Sequence, residues 1–447
     1  MSAIIVPVDS ERQPMLRYAE SKGQYDMRSL SLVTALLLTV SAVTLAWGDD
    51  WPQFRGLNRD GKSSETRLLK EWPAEGLTPL WIAEGLGKGY SSTAVAGGML
   101  FTTGTEAASC RPAADMVGET NEGLLSAIDL SGKVKWQTRY GPDWDQMHPG
   151  TRSTPTVDGA HLYELSGVGR LLCLDTKTGA ILWSRDLPKE FGGEAPRCGF
   201  AESPLVYKDR VICTPGGKDA ALAALDKNTG RTLWTSAGFS DQSAYCSPIL
   251  IERGGNYLVV TITARHVAGL DANTGKLIWS QPFDVKAEDP NHSVAPVYQD
   301  GRLYVTSGHG EGGQMFEISP DGREATPRWT DKVLNTLHGG LVLIDGYVYG
   351  SNAKGRWVCL ELKGGQVTYE ANGVGMGSVA YADGMLYCYG DKGTLGLVRA
   401  TPTAYEVISR FKVTQGEGPH WAHPVISGGR LYIRHGDFLM AYNVLSE

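Results

Sequence analysis

The chain has 447 residues, a formal net charge of −7, 56 glycines, 22 prolines, 12 tryptophans and 19 tyrosines. Its charges are interspersed, and the first 48 residues carry four of each sign, so removing them leaves −7. This excludes a nucleic-acid partner, which needs a basic face. Abundant turn residues between aromatic, β-branched runs point to one large all-β domain with ample core.

Residues 1–26 are polar and fit no element. "MRSLSLVTALLLTVSAVTLAWGDD" (27–50) has one Arg, an apolar run and small residues at Ala46 and Gly48. It reads as a secretory signal, with Met27 the true start and Asp49 the first mature residue. The run is shorter than the ~20 residues of a membrane span, so no span is expected after cleavage. The mature protein is expected in the periplasm or secreted, and no Cys follows the run to carry a lipid. Residues 1–48 are thus extension and signal, 49–76 a leader, and 77–447 the folded body. Within the leader, "NRDGKSSE" lacks EF-hand spacing and reads as a solvated turn.

One phrase then recurs: "AIDLSGKVKW" ending at Trp136, "CLDTKTGAILW" at Trp183, "ALDKNTGRTLW" at Trp234 and "GLDANTGKLIW" at Trp279. Trp81 and Trp329 hold the same position in weaker copies. The unit around the second copy parses as four short strands: 153–157, 161–165, 171–175 and 180–185, with turns at Asp158-Gly159, Gly167–Arg170 and Gly179. Such units start near Ser92, Ser153, Ser203, Ser247, Ala295, Gly340, Val379 and Pro424. A period of roughly 40–50 residues marks four-stranded propeller blades. The last unit supplies only three strands, and "LTPLWIAE" (77–84) offers the fourth, closing the ring and removing an open edge. The expected fold is an all-β, eight-bladed propeller of antiparallel blades. The phrase itself is architectural: Gly frees the turn backbone, Asp holds its amides, and Trp wedges between blades while its indole N–H donates to a carbonyl.

The pattern resembles the PQQ-like β-propeller repeat family, which includes quinoprotein alcohol dehydrogenases and BamB-type outer-membrane assembly factors. The resemblance covers about residues 77–447 and is strongest through "LDxxTGxxxW" in the first four blades. It implies either a PQQ- and Ca²⁺-dependent dehydrogenase or a scaffold without cofactor. The adjacent cysteines that cover the quinone in many such enzymes are missing, and no calcium set carries over. There is no GxSxG, HExxH or P-loop. The reading favours a monomeric, non-catalytic binding or scaffold module with no metal.

Function then belongs at the links entering the inner strands, which line the central funnel. They bring Tyr90, His148, Arg152, Arg197, Glu202, Tyr245, His292, His338, His420, Trp421 and His423 to one mouth. Eight of nine histidines fall on that face, His161 being the exception. Convergent imidazole, guanidinium and aromatic groups make a ligand site for a protein partner or a small anionic or polyhydroxylated ligand. The loops 105–123 and 140–150 lie on the same face, and exposure of Trp144 is expected if they contact a partner. Among seven cysteines, Cys173, Cys213, Cys359 and Cys388 read as core. Cys110, Cys198 and Cys246 fall in loops, where one disulfide stays open.

Overall fold

The computed structural model describes residues 50–107, 121–284, 290–309 and 312–446. The signal segment, Met27 and Cys110 lie outside the described residues. The strands sort into eight four-stranded antiparallel sheets. Blades 1 to 7 follow in chain order over residues 94–143, 156–186, 205–235, 249–282, 297–331, 342–372 and 377–412. Blade 8 takes Val425–Ser427, Arg430–His435 and Phe438–Asn443 from the end of the chain, and its outer strand is Pro79–Ala83. Trp81 pairs with Ala441 and Ala83 with Leu439, so the ring is closed as the repeat count required.

The recurrent phrase forms the joints between blades. Asp175 Oδ1 accepts from the amides of Lys177 and Thr178 and from the Thr178 hydroxyl. Asp226 and Asp271 do the same in the next two blades. Trp81, Trp136, Trp183, Trp234 and Trp329 each lie across the turn glycine of the following blade. A Cβ on Gly179 would sit 2.5 Å from the Trp136 ring, and one on Gly230 2.8 Å from Trp183. Both glycines hold positive φ, +71° and +70°, so the position needs glycine for its turn and again for its neighbour. The indole N–H of Trp136 donates to Thr176 O at 3.1 Å and that of Trp183 to Lys227 O at 3.1 Å. Trp81 and Trp329 reach Leu130 O and Lys363 O likewise.

Two of the six tryptophans depart from this expectation. Trp234 lies on Gly275, but its buried indole nitrogen finds no acceptor. Trp279 folds back over Gly269 of its own blade, because the fifth blade's turn glycine, Gly322, sits against Arg253 instead.

A belt of hydroxyls joins blades 8, 1, 2, 3 and 4 nearer the axis. His423 N donates to Ser92 Oγ, Ser92 N to Thr154 Oγ1, Thr154 N to Ser203 Oγ and Ser203 N to Ser247 Oγ, at 2.7 to 3.1 Å. These residues stand where the units were expected to begin, so the inner-strand entrances are held at fixed spacing around the funnel.

The leader is no solvated turn. Trp51 exchanges backbone hydrogen bonds with Val95 in blade 1, Pro52 O accepts from Val157 in blade 2, and Gly61 and Ser63 bond Tyr381 in blade 7. These partners lie within the inner strands, beyond the links that enter them. The segment therefore crosses the axis opposite the funnel mouth and plugs it. Arg55 and Arg59 are 2% and 3% exposed. Trp144, whose exposure would have supported a partner-contacting loop, is buried at 7%, its indole donating to Met147 O at 3.0 Å. Cys173, Cys198, Cys213, Cys246, Cys359 and Cys388 are all free thiols, so Cys198 and Cys246 are not bonded to each other.

Candidate functional site at the axial funnel

A cavity of about 350 Å³ opens on the axis at the link face. Eight of the eleven residues expected there line it: Tyr90, His148, Arg152, Arg197, Tyr245, His338, Trp421 and His423. They come from links entering different blades, which is why no sequence spacing unites them.

Trp421 is the centre of the wall. Its ring lies 4.7 Å from Tyr90, 4.8 Å from His338 and 5.0 Å from His148, centroid to centroid. Arg152 stands 5.5 Å from the Tyr90 ring centroid, within cation–π range. Its guanidinium donates to the carbonyls of Gly150, Met147 and His148, which fixes the loop at the mouth. His148 and Tyr245 hold positive φ, 52° and 71°, conformations that side chains with a Cβ adopt only at a cost of order 1–3 kcal/mol.

The floor comes from the leader. Phe54 lines the cavity, its ring edge-on to His423 at 4.9 Å. Beneath it Arg55 donates to Leu341 O and Val379 O and approaches His423 Nδ1 at 3.3 Å. An arginine only donates, so His423 Nδ1 accepts and Nε2 carries the proton toward His338 O at 3.1 Å. The tautomer of His423 is thereby set, and the plug is tied through it to the backbone of His338. Burial and the neighbouring Arg55 charge push the His423 pKa down to about 3. Burial, with His309 and His148 nearby, lowers His338 to about 4. Both rings are neutral at neutral pH, and the guanidinium groups carry the charge.

Three expected residues lie elsewhere. His292 is fully buried, against Phe283 at 5.2 Å, with Nε2 3.4 Å from Ala264 O. Its neighbours Asn291 and Ser293 line the cavity instead. Glu202 is 1% exposed, and Oε1 accepts from Thr214 N at 2.6 Å while Oε2 has no partner. Its burial raises the pKa to about 7. Ala201 faces the cavity in its place. His420 stacks on His435 at 3.5 Å and meets the Tyr389 hydroxyl at 2.5 Å, while Trp421 and His423 turn inward. In all three links neighbouring residues face the cavity while the expected one turns away from the wall. Phe54, Met147, Cys198, His309, Leu337 and Met376 were missed. Only the alternation of the links carried a signal for some of them.

Compared with known proteins, residues 121–371 match the family model described as outer membrane protein assembly factor BamB. The quinoprotein ethanol dehydrogenase of Pseudomonas aeruginosa is 29% identical over 164 residues, 33% of this chain and 25% of that protein. BamB of Salmonella typhimurium is 24% identical over 201 residues, 44% of this chain and 46% of its own length. The chain thus spans less than half of either relative. Among solved structures, BamB from Moraxella catarrhalis superposes with a TM-score of 0.59 at 16% identity, covering 82% of this chain and 99% of that one. The quinohemoprotein alcohol dehydrogenase from Comamonas testosteroni gives 0.61 at 14%, covering 89% and 81%. These last likenesses concern the fold alone. With more than half of its length matched, the chain belongs to the PQQ-like repeat family described as outer membrane protein assembly factor BamB.

Proposed function

We propose that this chain is an exported, non-catalytic propeller that binds through its axial funnel, as a monomeric binding or scaffold module. One observation carries the reading: aromatic and guanidinium groups from separate links meet at a single cavity around the half-exposed Trp421. The Trp421, Tyr90 and Arg152 side chains take no part in the hydroxyl belt or the rim tryptophan joints. The relatives named as assembly factors support a protein partner. Among the described residues no helix is long and apolar enough to cross a membrane.

The relatives named as quinoproteins raise a second reading, in which PQQ and Ca²⁺ occupy the funnel. Calcium takes six to eight oxygen ligands, carboxylates prominent among them. None of the described lining residues is Asp or Glu. No group of three or more His, Cys, Asp or Glu among the described residues is placed to hold a metal. The described lining residues do not fit that pair.

Two measurements decide. Titration with PQQ and CaCl₂ should give no quinone absorbance band and no dye-linked alcohol oxidation; turnover would overturn the reading. A photo-crosslinker at Met147, on the mouth, should capture a partner in cells, whereas one at Leu182, exposed on the outer strand of blade 2, should not. The reverse pattern would move the binding face to the rim.

A further inference from the structure

The link that enters blade 8 is folded around an imidazole. His435 ends the second strand of that blade, Arg430–His435, and is 4% exposed. Its Nδ1 lies 2.5 Å from Gln415 O and its Nε2 2.9 Å from Gly418 O. Both oxygens belong to the link, and carbonyls only accept. A neutral imidazole has one N–H, so it satisfies one carbonyl and turns a lone pair on the other. An imidazolium donates to both. Turning the ring over would bring carbons against both oxygens. The backbone is shaped to this ring. Gly416, Gly418 and Gly436 hold positive φ, +86°, +90° and +57°. A Cβ on Gly416 would stand 2.7 Å from His435 Nδ1, and one on Gly436 2.8 Å from Glu417 N. The link closes on the ring because these positions carry no side chain.

His420 covers one face of His435, the centroids 3.5 Å and the planes 12° apart. Two charged rings would repel at that separation, so one of the pair is neutral. That one is His420: burial and the charge of His435 lower its pKa to about 4, with Lys412 adding to the effect. The Tyr389 hydroxyl lies 2.5 Å from His420 Nδ1, and Asp391 gives its backbone carbonyl to His420 N. On the side of blade 8, Arg434 donates to the carbonyls of Leu86, Gly87, Gly436 and Phe438. Asp437 accepts from the amides of Gly85 and Gly87, and Glu417 is exposed. What the second proton of His435 holds is therefore the link itself. Trp421 and His423 follow on that link and line the cavity. We infer that His435 is a positioning residue whose second proton clasps residues 415–418, setting the funnel wall built on Trp421 and slackening it when that proton leaves. Binding through the funnel then weakens as pH rises, which rests on the funnel being the binding face.

The test takes the full-length protein, carrying isotope-labelled histidine, from about pH 5.5 to about pH 9, across the range where histidine changes charge. At the acid end both ring nitrogens of His435 should carry protons in the NMR spectrum, and His435→Gln identifies the signal by its loss. Hydrogen exchange of the peptide spanning residues 413–423, corrected for the intrinsic effect of pH, should accelerate about tenfold or more as the second proton leaves, through loss of a charge-assisted hydrogen bond. Trp421 emission, read as the difference from Trp421→Phe, should change over the same interval. In His435→Gln, with one donor nitrogen, the link should exchange fast throughout and show no such step. Glu202 and other groups titrate in both proteins, so the step is read as the difference between them. If the variant does not fold, the wild-type proton loss and exchange step must still share one midpoint. A single protonated nitrogen at about pH 5.5, proton loss without an exchange step, or the same step in His435→Gln would overturn the inference. None of these readouts needs a partner. A missing step with a persistent crosslink from position 147 rejects the clasp and keeps the funnel as the binding face; a step without that crosslink keeps the clasp and rejects the binding face.

Discussion

At the rim, Trp81, Trp136, Trp183 and Trp329 each lie on the turn glycine of the next blade and donate to a carbonyl beside it. On the cavity wall, unlike the hydroxyl belt beside it, the charged and aromatic groups do not repeat. Arg55, Trp421 and Arg152 come from the leader, the last link and the second link, and none has a counterpart in another blade. The joint is written again in several blades. A group that serves one ligand needs to be written once. The contrast therefore separates what holds the ring together from what the ring presents.

The strongest way to break this division is to remove the plug and the closing strand together. A chain lacking residues 49–84 should leave blade 8 with three strands and an open edge, and aggregate. A soluble product with one cooperative melt would refute the closure. Next, Arg55→Ala strips donors from Leu341 O and Val379 O and leaves His423 Nδ1 facing a void. A loss of about 2–4 kcal/mol in denaturant unfolding is expected, from stranded buried acceptors. No loss would mean that the leader merely rests on the axis.

The rim can be tested with two glycines in one blade. Gly179 and Gly159 both hold positive φ, but a Cβ on Gly179 meets Trp136 at 2.5 Å while one on Gly159 meets nothing within 4 Å. Gly159→Ala should cost about 1 kcal/mol, the penalty for φ alone. Gly179→Ala should cost about 1 kcal/mol more, because the Trp must move. Equal costs would remove the joint from the account.

Much of this was legible beforehand. The strand register of blade 2, Thr156–Asp158, His161–Leu165, Arg170–Asp175 and Ile181–Asp186, differs from the sequence reading only at strand ends, because alternation and turn glycines fix it locally. The funnel was legible through topology, since link residues must meet at the axis. His292, Glu202 and His420 were misplaced because the links were treated as loops whose side chains all face the mouth, whereas their neighbours Asn291, Ser293, Ala201, Trp421 and His423 face it and they do not. The plug was not legible. Arg55 and Arg59 lie in a polar stretch, and their burial depends on carbonyls from blades far away in sequence.

A further effect concerns pH. Below about pH 6.5 an unfolded His423 takes up a proton that the folded protein refuses until about pH 3. Its contribution to stability is complete above 6.5 and is lost as pH falls through that window. His338, lowered to about 4, acts in the same direction, whereas Glu202, raised to about 7, loses stability as pH rises and partly cancels it. The clean comparison is with His423→Gln, which keeps an acceptor and a donor. Wild type should lose stability relative to this variant by about 1.4 kcal/mol per pH unit on acidification. Parallel curves would show that His423 is not held neutral.

The claim that axis and rim divide function from architecture is tested most directly by pairing Trp421→Ala with Trp183→Ala, each followed by its melting temperature and by the crosslink from position 147. Trp421→Ala should abolish the crosslink with the smaller change in melting, and Trp183→Ala should lower the melting temperature and leave the crosslink. A Trp421→Ala protein that melts early yet still captures its partner would contradict the account.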